Sequence, residues 1–307
     1  QIDRKRMVDR LNLFPHELEL ALKTARTIRI PAVWQASTSV LMVGMGGSGI
    51  SGEIIVNLAR QRSAVPIVAC HTYEIPAFVS KTTLVIASSF SGNTEETLAA
   101  TRAAHQQGAR LFVICGEKSS LYDFAIQNNI PYHTITTPPP PRYALAGLLV
   151  PALIVLEKAK ILHTTEDMLR DAVETLHALI ETINERVPFK DNAAKDLAKR
   201  IHRSTPIIIT SGVASTIGTR FTQQIEENAK KDAFSFLLPE FSHNAIESLS
   251  CDDTNTYILA PTTYDTPRTH ASFNALETLL KKKDLPYHIH IPQGKGMLTQ
   301  LLSGIVF

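Results

Sequence analysis

Apolar and polar positions fall into short alternating blocks along the first half of this chain. Apolar runs at 39–43, 65–70, 83–87, 110–115 and 131–135 have the length of buried β-strands, and helical spacing occupies stretches between them, as at 53–61 and 95–107. Strands that alternate with helices predict a parallel sheet covered on both faces. An amphipathic stretch at 7–25 precedes the first strand. Beyond Thr136 and Thr137 the prolines 138–141 form a stiff extended segment, and two helical patterns, 143–160 and 165–186, then read as connectors. The alternation restarts with strand-like runs at 206–210, 233–238, 256–260 and 287–291 and a helix near 219–230. The restart repeats the outline of the first half. The expected fold class is therefore α/β with two doubly wound parallel-sheet units, pseudo-duplicated: a first domain over 1–150, linking helices over 151–190 and a second domain over 191–307.

Two loops carry the chemistry. Gly44-Met45-Gly46-Gly47-Ser48-Gly49 follows the first strand, and Ser88-Ser89-Phe90-Ser91-Gly92-Asn93-Thr94 follows the third. Ligands of doubly wound sheets bind beyond the carboxyl ends of the strands, and short hydroxyl side chains with backbone N–H groups at a helix start suit a phosphate. Gly44, Gly46 and Gly49 also fit a dinucleotide fingerprint. That fold asks for an acidic residue about 20 positions on, at the end of the second strand. Here the strand ends in His71 and Thr72, with Glu74 beyond it, so the dinucleotide reading loses ground. A tight turn without ligand explains the glycines but not the cluster of Ser89, Ser91 and Thr94. The corresponding places in the second half, Ser211-Gly212 and 262–266, lack the glycine density, so the first unit alone is expected to hold phosphate.

Composition narrows the class. The chain has 307 residues, 44% of them hydrophobic and 20% charged, enough to build two apolar cores. A net charge of +2 with dispersed Lys and Arg provides no basic stripe for nucleic acid. No apolar run approaches the ~20 residues of a membrane span, and the N-terminus lacks the apolar core of a signal peptide, so a cytoplasmic protein is expected. Cys70, Cys115 and Cys251 have no metal-ligand spacing; the first two sit in strand-like runs and read as buried free thiols. In the second half, Glu227 within Glu226-Glu227-Asn228-Ala229-Lys230 reads on its own as a solvated helix residue. His243 within Pro239-Glu240-Phe241-Ser242-His243-Asn244 is open to either a capping or an acid–base role.

Taken in order, Gly-Met-Gly-Gly-Ser-Gly at 44–49, Ser-Phe-Ser-Gly-Asn-Thr at 89–94, Pro-Arg-Tyr-Ala-Leu at 141–145, Glu-Glu-Asn-Ala-Lys at 226–230 and Pro-Glu-Phe-Ser-His-Asn at 239–244 carry a resemblance. The chain resembles the bifunctional phosphoglucose/phosphomannose isomerases of the sugar isomerase (SIS) fold. The first two motifs mark the fold in general; the last three are far more specific to the isomerases. The resemblance implies that Gly46, Gly47, Ser48, Ser89, Ser91 and Thr94 hold a sugar phosphate. It makes Glu227 the base that moves a proton between C2 and C1, gives His243 the ring opening, and sets Arg142 to steady the enediolate. It also implies a homodimer in which His243 serves the partner's site, and a place in carbohydrate metabolism, in glycolysis and gluconeogenesis. Family members continue past an apolar run like 298–307 into a further helix and a tail carrying a Thr and a Lys, whereas this chain stops at Phe307.

The activity expected is a metal-independent, cofactor-free interconversion of glucose 6-phosphate and fructose 6-phosphate, with mannose 6-phosphate as a second aldose. A carboxylate can take and return a proton on one face without a metal. The competing class is a non-catalytic sugar-phosphate regulator on the same fold. Such regulators pair one domain with a DNA-binding helix-turn-helix, which the short 1–29 segment does not provide.

Overall fold

The five apolar runs of the first half form one parallel sheet. The structure, a computed structural model, describes residues 7–135, 144–163, 165–249 and 254–307. It divides into two compact units, 1–170 and 171–307. The proline run 138–141, Arg142 and Cys251 lie outside the described residues.

In the first unit, β1 (Ser39–Val43), β2 (Ile67–Cys70), β3 (Thr83–Ser89), β4 (Arg110–Gly116) and β5 (Tyr132–Ile135) are ordered β2-β1-β3-β4-β5. Every neighbouring pair is parallel. β1 and β3 are buried along their whole length, as expected for central strands covered on both faces. On one face Leu41, Val43, Val85, Ala87, Leu111 and Val113 pack with Ala100 and Ala104 of α3 (Glu95–Gln106) and with Leu121 and Ala125 of α4 (Ser120–Gln127). The other face carries α2 (Gly46–Ala59), so close that a Cβ on Gly52 would lie 2.9 Å from Cβ of Met42. Beside α2, α5 (Leu145–Lys158) lies against β3, β4 and β5, and α1 (Met7–Ala25) packs on α5. α5 is buried from Leu145 to Leu156 apart from Gly147, because its sequence is apolar on every side, the mark of a helix enclosed by its own unit.

The second unit repeats the winding. Its sheet is β7-β6-β8-β9, built from β6 (Thr205–Ser211), β7 (Phe234–Leu238), β8 (Asn255–Ala260) and β9 (Tyr287–Ile289), all parallel. This is the order of β2-β1-β3-β4, so the duplication expected from the sequence is present in the topology. Ile207, Ile209, Tyr257 and Leu259 face α9 (Pro267–Lys282) through Phe273, Leu276 and Leu280. Ile208 and Ile258 face the other way, to Leu197 and Ile201 of α7 (Ala193–Ile201). That side also carries α8 (Ser215–Gln224) and α10 (Met297–Val306), which pack together. α6 (Thr165–Ile183) crosses the boundary between the units.

One buried group makes the second unit acid-sensitive. His290, just past β9, is 8% exposed, stacks on Phe307 at 4.1 Å between ring centroids, and leaves Nε2 without a hydrogen-bond partner. Burial, with a smaller push from His288, lowers its pKa to about 4. The unfolded chain takes up this proton near pH 6.5, so the stabilisation is complete above that value and is lost as pH falls toward 4. Up to about 3 kcal/mol is at stake. Replacing His290 with Phe should flatten the fall in denaturation midpoint between pH 6.5 and 4; an unchanged pH profile would assign the acid sensitivity elsewhere.

Candidate functional site

The first-unit sheet reverses its winding between β1 and β3, and the two loops singled out in the sequence leave those two strands. In an open α/β sheet this switch point is where a ligand crevice forms. The turn from β1 into α2 is tight. A Cβ on Gly44 would lie 3.0 Å from the Ser88 carbonyl oxygen, and one on Gly49 would lie 2.8 Å from the Gly44 carbonyl oxygen. Gly46 opens the helix at φ +48°, a conformation that favours glycine. The residue preceding α2, Met45, offers no side-chain acceptor to the first turn, and that turn contains no acidic residue. The Met45 carbonyl accepts the Ser48 and Gly49 N–H groups at 2.9 and 3.0 Å, which leaves those of Gly46 and Gly47 for solvent or an anion.

Hydroxyls stitch the second loop to the first. Ser48 Oγ accepts the Phe90 N–H at 3.0 Å. Ser89 Oγ lies 2.9 Å from Thr94 Oγ1 and accepts the Gly92 N–H at 3.0 Å. Ser91 Oγ accepts the Asn93 N–H at 3.2 Å. Asn93 in turn accepts the Ser120 N–H at 2.9 Å, tying the loop to α4. Gly92 sits at φ +64°, where a Cβ would lie 1.9 Å from Ser119 Oγ. The loop therefore brings Ser48, Ser89 and Thr94 into connected contacts, with Ser48 and Ser89 buried, Thr94 half-buried and Ser91 exposed at the rim. Thr94 precedes α3 without capping it, since its hydroxyl faces Ser89 instead. Glu95 and Glu96 in the first turn of α3 oppose an anion there, so the more favourable helix start is that of α2.

Sequence reasoning did not place His71 in this site. The structure sets it directly against the first loop: Nδ1 lies 2.6 Å from the Gly44 carbonyl oxygen and Nε2 lies 2.7 Å from Glu53 Oε1, on α2. The hydrogen bond to Glu53 is the main cause holding the imidazole above the usual histidine range. Burial opposes it, and the Gly44 carbonyl and the Glu53 charge add to it. The available signal was position, because a basic residue stands at the end of β2 where a dinucleotide fold carries an acid.

The second unit holds Glu227 and His243. α8 passes into a π-helical turn, Ile225–Ala229, that carries Glu226 exposed and Glu227 half-buried. Lys230 turns back at φ 57° and donates from Nζ to the Glu227 carbonyl oxygen at 2.8 Å. His243 is exposed at the end of the 3-10 turn Glu240–His243, whose Phe241 is anchored in the core. Cys70 and Cys115 are buried free thiols, as expected, and burial pushes Cys115 up to about 11. Among the described residues, no helix is long and apolar enough to cross a membrane.

Comparison with known proteins gives a consistent picture. Residues 190–307 match the model of the bacterial phospho-glucose isomerase C-terminal SIS domain. The chain is 32% identical to a bifunctional phosphoglucose/phosphomannose isomerase of Caldicellulosiruptor bescii, over 76% of this chain and 68% of that protein. It is 28% identical to a D-glucosamine-6-phosphate 4-epimerase of Sulfolobus acidocaldarius, over 75% of this chain and 69% of that protein. The chain thus spans about two thirds of the length of these curated relatives. Its fold is that of the C-terminal domain of glucosamine-fructose-6-phosphate aminotransferase from Francisella tularensis, with TM-score 0.74 and 12% identity, covering 100% of this chain and 95% of that one.

The hydrogen-bond pattern separates two serines that look alike in sequence. Ser48→Ala leaves the Phe90 N–H without its acceptor and should cost about 1–3 kcal/mol. Ser91→Ala, at an exposed rim, should stay within about 0.5 kcal/mol of the parent. Chemical denaturation of both variants checks this. Equal losses would mean that Ser48 does not join the two loops.

Proposed function

Because the chain belongs to the family of bifunctional phosphoglucose/phosphomannose isomerases, we propose that it interconverts glucose 6-phosphate and fructose 6-phosphate, with mannose 6-phosphate as a second aldose. The observation that carries this reading is the pair of glycine- and hydroxyl-rich loops at the β1/β3 switch point, joined through Ser48 and Phe90. Gly46, Gly47, Ser48, Ser89, Ser91 and Thr94 bind the phosphate, far from the reacting carbons, and that anchoring energy orients C1 and C2.

Glu227 takes the proton from C2. The C–H electron pair becomes the C1–C2 double bond while the aldehyde oxygen takes a proton from solvent, and the resulting cis-enediol returns to a carbonyl at C2 as the C2 hydroxyl gives its proton back to solvent and Glu227 delivers its proton to C1. A positioned base of this kind contributes about 10²–10⁴-fold. His243 acts earlier, at the ring oxygen, to open the sugar. Arg142, permanently charged and planar, balances charge that develops on the enediolate oxygens. The half-buried setting of Glu227 beside the exposed Glu226 favours Glu227 as the working carboxylate, since partial removal from water suits a base that must exchange one proton. The protein works as a homodimer in the cytoplasm, in glycolysis and gluconeogenesis, with His243 of each subunit serving the other's site.

Glu227→Gln should reduce isomerisation of fructose 6-phosphate, and exchange of the C2 hydrogen with solvent, by at least about 10²-fold. Glu226→Gln should retain both activities, and chelator should leave the parent protein unaffected. Equal tolerance at the two positions would favour the sugar-phosphate regulator. Glucosamine 6-phosphate belongs in the assay as the competing substrate set by the epimerase relative. A mixture of Ser89→Ala/Ser91→Ala with His243→Ala subunits should regain activity on exchange, because one site in each heterodimer is intact; no recovery, with exchange confirmed, would leave the isomerase reading and remove the shared sites.

A further inference from the structure

The imidazole of His71 meets the first loop at both of its ends. Nδ1 lies 2.6 Å from the carbonyl oxygen of Gly44, where the loop leaves β1, and the ring packs against Gly49, so closely that a Cβ there would lie 2.9 Å from Nδ1 and Cε1. On its far side Nε2 lies 2.7 Å from Glu53 Oε1. Gly44 offers a carbonyl and Glu53 a carboxylate, so each ring nitrogen faces an acceptor. A neutral imidazole has one N–H and can satisfy only one of them; the imidazolium has two and satisfies both.

We propose that His71 is a positioning residue for phosphate, an imidazolium that clamps the 44–49 turn between the Gly44 carbonyl and Glu53 and backs that turn with positive charge. The proposal rests on the reading of this loop as a phosphate site. Gly44 and Gly49 have no side chains to stiffen the turn, and Met45 does not cap α2, so the clamp supplies a rigidity that the loop cannot provide for itself. Glu53 lies one to two turns into α2, past the residues that open the helix. The pair as a whole is neutral, but its cationic member is the one that touches the turn.

The groups around the ring agree with this protonation. Glu53 is the charged side chain bonded to it from α2, and β1 presents the Gly44 carbonyl. The pKa is raised, with Glu53 as the leading cause. The contribution of the clamp is therefore fully present below about pH 6.5 and is lost as pH rises through the raised value. The position has a topological reason. His71 stands at the end of β2, the strand paired with β1, in the place where a dinucleotide-binding unit carries an acid for the ribose hydroxyls. A basic residue there turns the same position toward phosphate.

Sulfate is the suitable probe, because it is a tetrahedral dianion that does not titrate near neutral pH. Its affinity for the whole chain is measured by calorimetry from pH 6 to pH 9. The parent protein should lose affinity as pH rises. His71→Gln, which keeps one donor and no charge, should bind about threefold to tenfold more weakly at pH 6 and show no such loss. Glu53→Gln leaves the imidazole in place without its carboxylate, so the loss should move to lower pH. His71 can also be followed by its ring proton resonances, which should titrate at the pH where parental affinity falls and shift in Glu53→Gln. Identical sulfate profiles for all three proteins would overturn the proposal, as would a His71 resonance that titrates below pH 6. Absence of sulfate binding by the parent protein, with the His71 titration as expected, would instead remove the phosphate site and the proposal built on it.

Discussion

The approach of the β1–α2 turn to the end of β3 is the contact on which the first unit's site depends. A methyl group at Gly49 would meet the Gly44 carbonyl at 2.8 Å and the His71 ring at 2.9 Å, and one at Gly44 would meet the Ser88 carbonyl at 3.0 Å. Backbone cannot yield there as the end of a flexible side chain can. Because the turn stays this close, Ser48 reaches across to the Phe90 N–H, and that bond holds the 88–94 loop over the helix start. The glycines therefore act through what they allow the backbone to approach. The burial of β1 and β3 on both faces fixes the two strands from which the loops leave, since neither can shift without disturbing two packed layers.

The second unit shows the same winding put to a different use. Its loop after β8 folds onto its own carboxylate: Asp265 Oδ2 accepts the Thr262 N–H at 2.7 Å and the Thr262 hydroxyl at 3.2 Å. Gln300 of α10 accepts the Thr263 N–H at 3.1 Å and donates to its hydroxyl at 2.8 Å. A backbone N–H and hydroxyls are the donors a phosphate would ask for, and here groups within the protein have taken them. The 211–215 loop keeps one glycine, Gly212, where 44–49 has Gly44, Gly46, Gly47 and Gly49. Duplication preserved the sheet order while the loops diverged, as expected where strands are held by packing on two faces and loops are not.

Most of the framework was legible because buried parallel strands are continuous apolar runs, and such runs are hard to mistake when turn residues bound them. β1 matches its run residue for residue, and α1 and α3 differ from theirs by one residue at most. α2 begins at Gly46, well ahead of the helical pattern read at 53–61, because glycines and serines in its first turns hide the apolar spacing. α4 and α7 were not foreseen; each is short, and the apolar positions of so few turns do not establish a period. In the site, the hydroxyls were visible as a cluster in one loop. His71 was visible only as an oddity, since its contacts to Gly44 and Glu53 span 27 and 18 residues of sequence and arise from the pairing of β2 with β1.

The π-helical turn at 225–229 explains why one of two adjacent glutamates could not be chosen from sequence pattern alone. Helical spacing rotates successive residues by about 100°, so an α-helix continued from α8 would set Glu226 and Glu227 on faces fixed by the register of Ile217 and Phe221. A π turn holds more residues per turn than an α-helix, and entering it at Ile225 shifts that register within the very residues at issue. Single π turns inside α-helices are frequent at functional sites. Here the result is that Glu226 stays in solvent while Glu227 is drawn partly under cover, and Lys230 seals the turn by bonding to the Glu227 carbonyl, which fixes the backbone of the residue it leaves half-covered.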